Sequence, residues 1–109
     1  MISLNIKSLS VNDAWKGKRF KTDKYKSYER HLMMILPRMS IPDGNLSLYV
    51  EWGFSYSGRD IDNPLKPFID ILQKKYGFND NRIYELVIKK KSCKRGKDYI
   101  NFEISECDV

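Results

Sequence analysis

Leu46-Ser47-Leu48-Tyr49-Val50-Glu51-Trp52-Gly53-Phe54-Ser55-Tyr56 is the stretch that decides the fold. Leu46, Leu48, Val50, Trp52, Phe54 and Tyr56 alternate with Ser47, Tyr49, Glu51, Gly53 and Ser55. A period of two puts alternate side chains on opposite faces, so this reads as a long strand with one buried face. Ser57-Gly58-Arg59 ends it. The period then changes to that of a helix over residues 64–76, with Leu65, Phe68, Ile69, Leu72 and Tyr76 on one face. Asn63 is the expected N-cap, Pro64 suits the first turn and Gly77 suits the stop. Pro67 lies deeper than a first-turn proline should, which predicts an irregular helix start.

Upstream, Pro42-Asp43-Gly44-Asn45 is a turn. A helix capped by Thr22 or Asp23 carries Tyr25, Tyr28, Leu32, Ile35 and Leu36 on one face and stops at Pro37. Residues 2–9 alternate at Ile2, Leu4 and Ile6 as a strand, and residues 10–21 read as a long basic loop. Downstream, residues 83–91 and 99–105 read as two strands joined as a hairpin through Lys94-Arg95-Gly96-Lys97-Asp98. The order strand, helix, strand, helix, strand, strand predicts a small α/β (α+β) domain. Its mixed sheet has about four strands, with two helices packed on one face.

The 109 residues fit one domain, spanning 1–109. The composition is 41% hydrophobic and 13% aromatic, which is globular rather than disordered. No apolar run approaches the roughly 20 residues a membrane span needs, so no membrane partner is expected. The first residues lack the continuous apolar region of a signal peptide, and secretion is not expected. Cys93, Cys107 and the lone His31 are too few and too scattered for a zinc set, so the cysteines read as plain thiols. There is no glycine-rich phosphate loop, hence no nucleotide cofactor.

The charge points to a polyanion. Twenty Lys and Arg face fourteen Asp and Glu, a formal excess of +6 with a pI near 9.3. Lys16, Lys18, Arg19, Lys21, Lys24 and Lys26 are interleaved with Trp15, Phe20, Tyr25 and Tyr28. A second cluster holds Lys89, Lys90, Lys91, Lys94, Arg95 and Lys97. Cations with rings between them suit nucleic acid, because phosphates take the charge and bases stack on the rings.

The chemistry-bearing segment is Arg59-Asp60-Ile61-Asp62-Asn63-Pro64-Leu65-Lys66, continuing to Asp70. In extended backbone the i, i+2 spacing puts the Asp60 and Asp62 carboxylates on the same side. Two such acids repel unless a cation joins them, and Mg²⁺ takes hard oxygen ligands while keeping several waters. Asp80 is the third candidate ligand, if the loop after the helix returns to the same strand end. Lys66 and Asp70 are helix neighbours, so Asp70 can aim the ammonium at a phosphate. An Asp-x-Asp-Asn run before a helix is equally an ordinary cap, with Asp62 or Asn63 meeting free N–H groups.

Residues 58–63 with Lys66, Asp70, Leu72, Gly77, Asp80 and Ile83 resemble the signature of the RusA family of Holliday junction resolvases. A looser likeness covers Ser10-Val11-Asn12, Trp15 and the basic stretch to Tyr28. The resemblance implies a homodimeric, Mg²⁺-dependent endodeoxyribonuclease, with Mn²⁺ as the alternative metal. It would resolve four-way DNA junctions by paired symmetric nicks in recombination and repair. By that likeness Asp60, Asp62 and Asp80 hold the metal, Lys66 is the catalytic lysine, and Asp70 and Asn63 support them. Lys16, Lys18, Arg19, Lys21, Lys24, Lys26, Arg59, Lys89, Lys91, Lys94 and Arg95 are the candidate DNA contacts. The implied location is the cytoplasm of a bacterial or phage-infected cell. One departure stands out: members often carry two adjacent aspartates where this chain has Asn79-Asp80. The alternative reading is a catalytically inactive module that binds junctions or other nucleic acid.

Overall fold

The computed structural model describes residues 1–17, 20–56 and 58–108. It is a mixed α+β fold. Strand β1 is Ile2–Leu4, helix α1 Val11–Ala14, strands β2 and β3 Trp15–Lys16 and Phe20–Lys21, and helix α2 Asp23–Ile35. Strand β4 is Leu46–Phe54, helix α3 Leu65–Tyr76, β5 Ile83–Ser92 and β6 Tyr99–Glu106. The main sheet runs β1-β6-β4-β5, with β4 antiparallel to β6 and parallel to β5, while β2 and β3 form a separate two-stranded ribbon. Among the described residues no helix is long and apolar enough to cross a membrane.

The alternation read from the sequence places one face of β4 inside. Leu46, Leu48, Val50, Trp52 and Phe54 join Ile100 and Phe102 of β6 in the core. Helices α2 and α3 cover that face through Tyr25, Tyr28, Leu32, Phe68, Ile71 and Leu72. Phe68 sits edge-on to Trp52 at 5.6 Å and to Phe102 at 5.4 Å. Each such pair adds roughly 0.5–1.5 kcal/mol beyond burial, which fixes α3 across the middle of the sheet. Thr22 caps α2, its hydroxyl accepting the Tyr25 N–H at 3.1 Å, and Gly77 closes α3 with φ 71°.

Three local expectations are corrected. The stretch read as a basic loop over 10–21 contains α1 and the β2–β3 ribbon; α1 is a single turn, too short to show helical periodicity. The strand read over 2–9 ends at Leu4. Strands β5 and β6 do not form a hairpin, since each pairs with an opposite edge of β4. The connection through Lys94 and Arg95 therefore crosses the end of β4, where the Cys93 N–H donates to the Phe54 carbonyl at 2.9 Å. Sequential strands usually neighbour one another, which favoured the hairpin reading; a parallel β4–β5 pair leaves β6 the other edge of β4.

Candidate functional site

The loop carrying Asp60 and Asp62 follows the end of β4 and is held down by its backbone carbonyls. The Lys90 ammonium donates to the Arg59 carbonyl at 2.8 Å, the Trp52 indole N–H to that of Ile61 at 2.8 Å, and the Val11 N–H to that of Asn63 at 2.8 Å. Thus the neighbours on either side of each aspartate are anchored to β5, β4 and α1. Asp60 and Asp62 are exposed, and neither carboxylate has a hydrogen-bond or ion-pair partner among the described residues. The extended-backbone argument for their alignment does not apply, because β4 ends at Phe54 and Asp62 sits in a turn whose carbonyl accepts the Leu65 N–H at 3.0 Å.

The capping reading fails in this loop. Helix α3 begins at Leu65 with Pro64 in the N-cap position and no side-chain cap hydrogen bond. Asn63 is not the cap; it serves the fold through its carbonyl. Pro67 falls in the first turn, where its missing N–H would have had no helical partner, so the helix tolerates it. Two exposed carboxylates remain with no partner among the described residues.

Lys66 lies one residue into α3 and pairs with Asp70 at 3.4 Å, the i, i+4 contact that the sequence predicts. Gln73 approaches the same Asp70 oxygen at 3.5 Å. Lys66 and Asp70 border a cleft of about 570 Å³ with Val11, Asn12, Trp15 and Gly17, so the β2–β3 ribbon stands beside the catalytic-lysine candidate. Burial first, then Glu29 and Asp70, push the Tyr25 phenol well above its ordinary value. It is a neutral core group there.

Asp80 lies elsewhere. It opens a 3₁₀ turn, Asp80–Arg82, just before β5, and its N–H donates to the Gln73 side chain at 2.8 Å. The register pairs Ile83 with Leu46, the first residue of β4, whereas Asp60 and Asp62 follow its last. Helix α3 carries the chain back along the sheet between the two, and its 12 residues span about 18 Å at 1.5 Å each. The expected three-aspartate cluster is therefore not formed within one chain. No group of three or more metal-ligating side chains occurs among the described residues.

The cationic candidates divide by position. Lys16 and Lys21 lie on the ribbon, and Lys24 and Lys26 on the exposed side of α2. Lys24 and Arg59 border a cleft of about 740 Å³ with His31, Asp13 and Asp23. Arg95 and Lys97 border another, of about 620 Å³, with Lys7 and Ser55 at the end of β4. Lys94 is exposed in the same connection. Lys89 and Lys91 sit instead on the uncovered face of the sheet, Lys89 over the Tyr49 ring at 5.8 Å and Lys91 against Glu51 at 3.5 Å. Lys18 and Arg19 lie outside the described residues. Lys90, which the sequence reading left out of the site, faces the carboxylate loop. Strand alternation was the available signal, since Lys90 must point opposite to Lys89 and Lys91.

Neither a scan of protein-family models nor a search of curated proteins found a match to this chain.

Proposed function

We propose that this protein is a divalent-metal-dependent endodeoxyribonuclease acting on branched DNA, with the four-way junction as its substrate. The observation that carries the reading is the pair of idle carboxylates. Among the described residues Asp60 and Asp62 are exposed, uncapped and unpaired, on a loop pinned at three carbonyls. Their donor set fits Mg²⁺, which takes one or two protein carboxylates and fills its shell with waters and substrate phosphate. Bound there, the metal would supply an activated water and a Lewis acid for the scissile phosphate. Lys66, held by Asp70, neutralises charge developing on the phosphate oxygens. Arg95, Lys97, Lys7, Lys16, Lys21 and Lys24 grip phosphates of the arms.

If Asp80 is a third ligand, it comes from a second copy, because its own chain keeps it at the far end of α3. A two-fold dimer exchanging Asp80 in this way builds two identical centres, which matches paired nicks on a two-fold junction. The deciding experiment incubates end-labelled four-way junction and linear duplex with the protein and its Asp60→Asn variant, with and without Mg²⁺. Metal-dependent nicks on the junction, lost in Asp60→Asn while binding persists, are expected. Binding without cleavage by the parent protein would leave the inactive binding module instead.

A further inference from the structure

Tyr56 lies beyond the end of β4, four residues before Asp60, and is 66% exposed. An exposed tyrosine alone is unremarkable, but this one lies against the loop that leads to Asp60. A Cβ at Gly58 would lie 2.9 Å from ring atom Cε1 and 3.0 Å from Cζ and Oη. The far end of the ring therefore lies against the backbone of the residue that opens the signature stretch.

The ring also borders a cleft of about 260 Å³ shared with Phe54, Lys90, Lys91 and Ser92. The Lys90 ammonium gives one of its three donors to the Arg59 carbonyl at 2.8 Å. Among the described residues nothing takes its other two donors, and none of those lining the cleft is a carboxylate. The volume is below the roughly 300–1,000 Å³ of sites for drug-sized ligands, which leaves room for a single ring system. An aromatic wall with a cationic rim fits a flat base attached to a phosphate. A bare anion needs no ring, and an apolar peptide needs no lysine.

We propose that Tyr56 is the stacking platform for one unpaired nucleobase of the DNA strand crossing the carboxylate loop, with Lys90 on its phosphate. This rests on the nuclease reading of that loop and adds the device by which it selects its substrate. A base in intact duplex must first be unstacked, at a cost of a few kcal/mol, whereas a branch point offers bases already loosened. The cleft therefore favours junction over duplex without reading sequence.

The test uses Asp60→Asn protein, so that DNA is bound and not cut. Equilibrium binding to a four-way junction and to linear duplex is compared for this parent and for added Tyr56→Ala, Tyr56→Phe or Tyr56→Trp. Junctions with an abasic residue at each position around the branch complete the set, and thermal melting verifies the fold of each variant. Tyr56→Ala should weaken junction binding from about fivefold to about a hundredfold, the range base–aromatic stacking is worth, while Phe and Trp hold it within about twofold. Duplex binding should not change. One abasic position should weaken the parent but not Tyr56→Ala. Unchanged junction affinity in Tyr56→Ala overturns the proposal, as does equal weakening on duplex, or abasic effects that simply add. A parent that binds no junction at all overturns the nuclease reading, and this one with it.

Discussion

Gly53→Ala should destabilise the protein through the uncovered face of the sheet with one methyl group. Tyr99 is the cross-strand partner of Gly53, and its ring lies over the glycine. An added Cβ would sit 2.2 Å from ring carbons Cδ1 and Cε1 and 2.8 Å from Cγ. These are atoms of the ring body, so the whole side chain must swing away. The swing breaks the hydrogen bond from Tyr99 Oη to Glu51 Oε2, 2.7 Å long, in a carboxylate that Tyr49 and Lys91 also contact. Overpacking costs about 1–3 kcal/mol. A hydrogen bond to a charged group is worth about 1.5–3 kcal/mol, and the low end applies because water can replace it on this shallow face. The sum is about 2.5–4.5 kcal/mol, or a urea midpoint lowered by about 1.7–3 M at a slope near 1.5 kcal/mol/M. The pH dependence separates the two parts. The Tyr99 bond, then Lys91, holds the Glu51 carboxyl below its ordinary value against the opposing effect of burial. Its contribution is therefore complete above the unfolded glutamate pKa of about 4.3 and fades as the pH falls through the lower folded value. The Gly53→Ala deficit should be largest at neutral pH and shrink to its steric part in acid. With the ring removed, Gly53→Ala/Tyr99→Ala should match Tyr99→Ala within about 0.5 kcal/mol. A single variant as stable as the parent, or a deficit equal at both pH values, would refute the reasoning.

Other outcomes follow from the same geometry. Asp60→Asn and Asp62→Asn should each leave urea stability within about 0.5 kcal/mol of the parent, since neither side chain has a partner among the described residues; a larger loss would mark them as structural. Equimolar mixing of Asp60→Asn and Asp80→Asn subunits, with free exchange, should restore about a quarter of the centres if two copies share Asp80, because half the dimers regain one site of two. A mixture that never nicks would rule out that sharing. Lys90→Met should keep the melting temperature but lower nicking several-fold, by releasing the Arg59 carbonyl; unchanged nicking would show that the loop does not need this anchor. Arg95→Met should lower the log–log salt slope of duplex binding by about 0.9, whereas Lys91→Met, already tied to Glu51, should leave it unchanged.

The two long helices, and the strand that organises the sheet, were legible because their signals are local. Period two in β4, the Thr22 cap and the Gly77 stop depend on nearby residues, and the structure places each as read. What was hidden depends on partners distant in sequence. Nothing within β5 or β6 states that each pairs with β4 rather than with the other. Nothing near Asp60 states that Trp52 and Lys90 will pin its loop, although Lys90 was recoverable from alternation once β5 was assigned. The burial of Glu51 was likewise invisible, because its cover comes from Tyr99, 48 positions on.

The position of Asp80 is the most instructive of these, since topology rather than composition decides it. The segment from Asp62 to Asp80 contains a helix, and a helix joining two strands reverses the chain along the sheet. If the second strand were antiparallel to β4, the loop after the helix would begin at the strand end where Asp60 stands. With β4 and β5 parallel, that loop must lie at the strand's start, about 18 Å away along α3. No side-chain movement spans such a gap, and sliding the register would expose the apolar face of β5 that carries Ile88. Within a single chain Asp80 thus stays apart from Asp60 and Asp62. The proposed nuclease reading has therefore either to work without Asp80 or to bring a second copy to the site.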